Sequence, residues 1–322
     1  MTSIDRIRLP TPFNVGDVNC YLLPTAELTV IDPGPETADA RTALRSGLNE
    51  RDYSVEDIAN VLITHPHMDH FGGARRLANE ADARVIAHED AVERLAAPTG
   101  QFEDEQAFFH AFLRSMGMPD DTVRTVLTLP ESYTDFQRPV SPDRTVADGE
   151  RLDVGVTLDC VHTPGHAVGS VCYRLRSENT VFTGDHVLPD ITPNPTLTTL
   201  PGKSDERTRS LPTYLASLEK LRAVDEAVGY GGHGERMTAL QERIDETIAH
   251  HHERKEHIAG MVPDSEPGTT AYRLMNELFP ELPATEGFVG ISEVVGHLDL
   301  LDDEGRIDWH ETDGVRKCVL AD

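Results

Sequence analysis

Residues His65-Pro66-His67-Met68-Asp69-His70 put three imidazoles and a carboxylate into six positions. No other stretch of the chain constrains the fold as tightly, because such a cluster must be carried to one corner and held there. The apolar run Asn60–Ile63 before it reads as a short buried strand, and Gly72-Gly73 behind it lead into a helix over Gly73–Ala81. His65, His67 and Asp69 lie two apart, so an extended backbone turns them to one side, and His70 joins as the chain bends. Imidazole and carboxylate donors suit Zn²⁺, with Fe and Mn as further candidates. Four donors this close crowd a single ion, so sharing between two ions is the better geometry. A lone histidine is ordinarily a satisfied core or surface group; this spacing behind a buried strand is not.

The elements around the cluster alternate. Ile4–Leu9, Asn19–Leu23 and Leu28–Ile31 read as strands, and Asp32-Pro33-Gly34-Pro35 stops the third. Thr37–Leu48 has helical composition, and Arg84–Ala87 reads as a strand. The strand–loop–helix–strand order predicts an α/β protein. Residues 89–130, with Gln106–Met116 the clearest helix, break this rhythm as a helical insertion over one face. A β-rich stretch resumes at Arg144, with strands expected at Val154–Val161, Val171–Leu175 and Thr180–Thr183. Asp190–Arg209 is a long loop, a form often tied to function in compact domains. Helices follow at Leu211–Arg222 and Arg236–Gly260, with a strand at Ala227–Tyr230 between them. Beyond Pro263, two helices (Thr270–Leu278, Ile291–Leu301) and a hairpin (Ile307–His310, Arg316–Leu320) suggest a small winged-helix-like unit. The expected division is therefore 1–260 and 261–322.

The segment Thr64-His65-Pro66-His67-Met68-Asp69-His70-Phe71-Gly72-Gly73 resembles the signature of the metallo-β-lactamase superfamily. Three further motifs follow in the order that family requires: Thr163-Pro164-Gly165-His166, Phe182-Thr183-Gly184-Asp185 and Tyr230-Gly231-Gly232-His233-Gly234. The resemblance implies a four-layer αββα sandwich and two Zn²⁺ ions, with Fe or Mn possible. It assigns His65, His67 and His166 to one ion, Asp69, His70 and His233 to the other, and Asp185 to a bridge. A metal-bridging hydroxide would be the nucleophile, with Asp69 as the catalytic group that orients it or relays its proton. Asp32-Pro33-Gly34 matches an early family motif whose aspartate supports the ligands. The chain has no G-x-S-x-G elbow.

Composition narrows the rest. The net charge is −27 over 322 residues, the acids are dispersed, and the only lysines are Lys203, Lys220, Lys255 and Lys317. Such a surface suits a salt-rich, halophilic cytoplasm, where a short Debye length screens self-repulsion. No apolar run approaches the ~20 residues of a membrane span, and the N-terminus shows no apolar signal region, so a cytoplasmic location is expected. Cys20, Cys160, Cys172 and Cys318 form no C-x-x-C pair and read as core thiols.

Thr11-Pro12-Phe13, Val18-Asn19-Cys20-Tyr21-Leu22, Gly184-Asp185-His186 and the terminal region resemble the glyoxalase-II-like (hydroxyacylglutathione-hydrolase-like) and beta-lactamase-like-protein-2-like branch. Its members include thioesterases, lactonases and an endoribonuclease. The expectation is hydrolysis of a small thioester, ester or lactone, with endoribonuclease as the alternative. Gly260–Asp322 holds 14 acids against four basic residues, which repels a phosphate backbone and argues against a nucleic-acid partner. The terminal unit then reads as a packing or homodimer element. His250-His251-His252 point in different directions on a helix and read as solvated or supporting groups. His162 and His186 are expected to turn away from the site, and Lys203, Arg207 and Arg209 to be ordinary loop charges.

Overall fold

The computed structural model describes residues 3–128 and 135–321. Two sheets pack face to face. The first holds β1 (Asp5–Leu9), β2 (Val18–Leu23), β3 (Leu28–Ile31), β4 (Ile58–Leu62), β5 (Arg84–His88) and β6 (Arg144–Val146) in that spatial order. Strands β1 to β3 run antiparallel and β3 to β6 parallel. The second runs in the order β11-β10-β9-β8-β7, from β7 (Arg151–Asp153), β8 (Thr157–His162), β9 (Val171–Leu175), β10 (Thr180–Gly184) and β11 (Val228–Gly231). Its strands are antiparallel except for the β10–β11 pair.

Both faces of each sheet are covered, which is why the strands read as continuous apolar runs rather than alternating ones. Within β2, Tyr21 and Leu23 join the core between the sheets, while Cys20 and Leu22 join the core under the outer helices. The helices on the first sheet are α1 (Ala38–Asn49), the single turn α2 (Met68–Phe71) and α3 (Ala74–Ala81). Thr37 caps α1 by accepting a hydrogen bond from the Ala40 amide at 3.1 Å. Leu44, Leu48 and Leu77 are buried there, each contributing ~1.5–3 kcal/mol. On the second sheet, Val161, Cys172 and Val181 pack against Leu211, Tyr214 and Leu218 of the helix α7 (Ser210–Arg222) and Ile244 of the helix α8 (Leu240–Met261). The helix–sheet–sheet–helix layering is the one expected.

Helices α4 (Val92–Ala96), α5 (Pro98–Ser115) and α6 (Asp120–Thr128) occupy the insertion; its expected end at 129–130 lies outside the described residues. After α7 (Ser210–Arg222) and α8 (Leu240–Met261) come α9 (Ala271–Leu278), α10 (Gly287–Asp303) and the hairpin β12 (Ile307–Thr312)–β13 (Val315–Leu320). Phe109, Leu113 and Val126 of the insertion share one apolar cluster with Ile258 of α8, Leu274 of α9, Ile291 and Leu298 of α10, and Cys318 of the hairpin. The terminal helices thus pack as a continuation of the insertion. No helix among the described residues is long and apolar enough to cross a membrane.

Two local readings are corrected. Val154–Val156 is a turn rather than the start of a strand, because Gly155 adopts φ +79° and folds β7 back on β8. The backbone is not extended through Asp69: α2 begins at Met68, so Asp69 and His70 are aimed by a helical turn.

Candidate metal centre

Five of the seven expected ligands sit just beyond the C-terminal end of a strand, and Asp69 and His70 lie on the helical turn α2. His65 and His67 follow β4, His166 follows β8, Asp185 follows β10 and His233 follows β11. Parallel pairing of β10 with β11 brings Asp185 and His233 together, and two bonds join the sheets at this edge. Val171 N donates to Thr64 O at 2.8 Å, and Tyr173 Oη to Ile63 O at 3.0 Å. Strand β2 holds the last histidine loop: Asn19 N donates to Gly232 O (2.7 Å), and Asn19 Nδ2 and Tyr21 Oη both donate to Gly231 O.

The side chains form two clusters. His67 Nδ1 lies 3.1 Å from both His65 Nε2 and His166 Nε2. Two nitrogens on a tetrahedral zinc, at Zn–N of about 2.05 Å, stand about 3.3 Å apart. The three imidazoles therefore already approximate one face of a zinc coordination shell. In the second cluster, His233 Nε2 lies 3.4 Å from Asp69 Oδ2 and 3.5 Å from Asp185 Oδ2, and His70 Nε2 lies 3.4 Å from Asp185 Oδ1. Asp185 Oδ2 also stands 3.9 Å from His166 Nε2, so this carboxylate lies between the clusters. His70 Nε2, His233 Nε2 and Asp185 Oδ1 are buried without hydrogen-bond partners. Buried polar atoms are ordinarily satisfied, and convergent orphaned donors are what a cation would satisfy. Gly232 leaves the room: a Cβ there would meet Asp185 Oδ1 at 2.2 Å and His70 Cε1 at 2.4 Å.

The opposite nitrogen of four of these rings is tied down. His65 Nδ1 donates to Thr64 Oγ1 (3.0 Å), which in turn donates to Asp32 Oδ2 (2.6 Å). His70 Nδ1 bonds Asp32 Oδ2 at 2.9 Å, His166 Nδ1 bonds Asn194 O at 3.0 Å, and His233 Nδ1 bonds Asp17 O at 2.9 Å. Each bond keeps a proton on Nδ1 and aims Nε2 inward. Asp32, at φ +55°, also accepts from Thr64 N at 2.8 Å and is almost fully buried. Asp32 was expected to support the ligands. The Asn194 and Asp17 carbonyls were not legible, since any residue supplies a carbonyl.

The two clusters differ electrically. Burial, reinforced by neighbouring histidines, holds His65 well below its ordinary pKa and His67 down to about 3. Burial also lowers His166. These rings stay neutral, the form that binds a metal. At His70 and His233 burial also disfavours the cation, but nearby carboxylates outweigh it. Asp185, Asp69 and Asp32 carry His70 well above its usual range; Asp185 and Asp69 carry His233 up to about 10. Asp185 and Asp69 stay ionised despite burial because those histidines face them. The site is thus built to hold positive charge.

A cavity of about 260 Å³ opens beside the first cluster. Pro66, His67 and Met68 line it beside the ligands, together with residues of α4 to α6, Phe288 of α10 and Thr196-Leu197-Thr198 of the long loop. The loop cations expected to be ordinary surface charges are all paired: Arg207 bidentately with Asp299 (2.6 and 2.7 Å), Arg209 with Asp303, Lys203 with Glu206.

Two other groups of donors lie apart. His88 and His162 stack at 3.7 Å and 13°, beside Asp90. Parallel stacked rings share no point in both planes, so they offer one ion poor geometry. His251 is buried, with its Nδ1 3.4 Å from His297 Nε2; His297 Nδ1 donates to Glu293 O at 2.7 Å. Those bonds occupy both nitrogens of His297. His186 is buried against Tyr214, away from the ligand cluster.

The chain is similar over nearly its whole length to proteins already described. The probable metallo-hydrolase YqjP of Bacillus subtilis (strain 168) is 32% identical over 301 residues, covering 94% of this chain and 92% of that protein. The thioesterase pkgB of Emericella nidulans is 27% identical over 242 residues; these cover 74% of this chain but 52% of that longer protein. In three dimensions, a metallo-beta-lactamase family protein from Thermus thermophilus superimposes with a TM-score of 0.82 at 27% identity, over 99% of this chain and 98% of that one. The family model of the metallo-beta-lactamase superfamily matches residues 13–233. That match takes in every one of the converging side chains, and the chain belongs to the metallo-beta-lactamase superfamily of hydrolases.

Proposed function

We propose that this protein is a binuclear, zinc-type hydrolase that cleaves a small thioester, ester or lactone. The observation that carries the reading is the pair of donor clusters sharing Asp185 beside a largely apolar cavity that His67 lines. His65, His67 and His166 would hold one ion, Asp69, His70 and His233 the other, and Asp185 would bridge them. Ions held there would supply Lewis acidity toward a scissile carbonyl and a water activated near neutral pH.

The chain's own groups do the rest. Asp32, Thr64, and the Asn194 and Asp17 carbonyls fix ring tautomers, so no ring has to reorient during turnover. Of the three site carboxylates Asp69 is the most open, at 14% side-chain exposure against 9% for Asp185 and 3% for Asp32. It is therefore the group placed to pass a proton to the leaving sulfur or oxygen. The cavity offers largely apolar walls to the substrate's other end. Endoribonuclease activity is disfavoured by the same cavity, which presents apolar walls and, among the described residues, no unpaired cation to a phosphate. A thioesterase among the relatives favours acyl transfer to water.

Metal analysis of the purified protein should find about two ions per chain, and chelation should abolish turnover. A thioester, a lactone and single-stranded RNA should be assayed side by side, with Asp185→Ala as control. RNA cleavage that this substitution removes, with no ester turnover, would overturn the proposal, as would full activity after chelation.

A further inference from the structure

We infer that the cavity beside His67 is an acyl-chain pocket for a neutral, unbranched chain of roughly eight carbons, with Phe109 and Phe288 setting its length limit; this rests on the hydrolase reading above. Its walls are Met68, Phe109, Val126, Leu127, Leu197 and Phe288. Phe109 and Phe288 meet edge to face, with centroids 5.2 Å apart and planes at 86°. Among the described lining residues Arg94 is the sole lysine or arginine, and it is paired with Glu105. Glu105 Oε1 also accepts from Thr199 N at 2.8 Å and Thr199 Oγ1 at 3.0 Å. A carboxylate or phosphate entering here would lose its water and find no free cation, whereas an alkyl chain loses nothing.

The size follows from the volume. A methylene fills roughly the space of one water, about 30 Å³, so a 260 Å³ cavity takes about eight carbons. The shape is preformed. Helices α5, α6 and α10 belong to one buried cluster, and the loop that lines the cavity is pinned to α10 by Ser292 Oγ, which accepts from Leu197 N at 3.3 Å. Asn194, whose carbonyl holds His166, reaches α10 through Nδ2 to Val289 O at 3.2 Å. The wall that measures the chain and the loop that orients a site histidine are therefore one assembly.

The test uses the metal-loaded full chain and N-acetylcysteamine thioesters with acyl groups from two to fourteen carbons. Burial of each added methylene is expected to raise kcat/KM about fourfold up to roughly eight carbons, followed by a fall. Phe288→Ala should move the optimum to longer chains and Phe288→Trp to shorter ones. A purely structural role for Phe288 would instead scale all substrates alike. Calorimetry with the matching S-alkyl thioethers, which cannot be hydrolysed, reads the same length dependence without turnover. A profile flat in chain length, or an optimum unmoved by both substitutions, would overturn the inference. Thioethers that bind with the expected length dependence while no ester is cleaved would support the pocket and sink the hydrolase reading. Turnover of short esters with no length dependence would do the reverse.

Discussion

Asp32 is the point at which a single atom exchange tests the site. Its carboxylate accepts three bonds, from Thr64 N, Thr64 Oγ1 and His70 Nδ1, in a buried position. Asp32→Asn keeps the volume, and asparagine tolerates the left-handed backbone at φ +55° that alanine would strain. The amide has one acceptor atom where the carboxylate has two. If its oxygen faces His70, its NH₂ opposes the Thr64 amide, leaving a buried N–H unsatisfied at a cost of ~1–3 kcal/mol. If it flips, the NH₂ faces His70 Nδ1, the ring proton moves to Nε2, and the inward lone pair is lost. The first arrangement lowers Tm by roughly 2–6 °C. The second weakens the ion at Asp69, His70 and His233 by about 10–100-fold. Differential scanning calorimetry of the apo protein and competition with a chromophoric chelator measure the two. A variant that binds both ions as tightly as the parent, with an unchanged Tm, would refute the positioning argument.

Two other perturbations test the remaining physics. Burial holds His251 down to about 2 and His297 to about 4, below the unfolded value of about 6.5, so the unfolded chain binds protons that the folded chain refuses. Stability is then lost as pH falls below about 6.5, by roughly 2 kcal/mol per histidine at pH 5, and a His297→Asn variant should show a shallower acid limb in thermal melts. With a net charge of −27, Tm should rise from dilute to molar KCl, and a Tm indifferent to salt would remove the halophilic reading of the surface.

The donors were legible because their chemistry is fixed by residue type and because each motif ends a recognisable strand. The apolar runs of β2, β9 and β10 were legible for the same reason: both faces are buried, so the pattern has no gaps. What was not legible depends on partners distant in sequence or on backbone atoms. Nothing around Asn194 announces that its carbonyl orients His166, and nothing around Phe109 announces that Phe288 will meet it. The short helix at Met68 was missed because alternate spacing of His65, His67 and Asp69 mimics a strand. For His251 the sequence leaves a solvated and a supporting role both open; packing of α8 against α10 buries it.

The apolar cluster joining the insertion to the terminal helices bears on how the molecule is made. All expected ligands have been synthesised by His233, but Phe288 and the remainder of α10 come later. A nascent chain therefore exposes both sheets' strands and all the donor residues while the wall beside His67 is still missing. Domains emerging from the ribosome tend to fold in order of synthesis. On that schedule the donor residues emerge first, and the Asn194 loop that orients His166 gains its anchor only when α10 arrives.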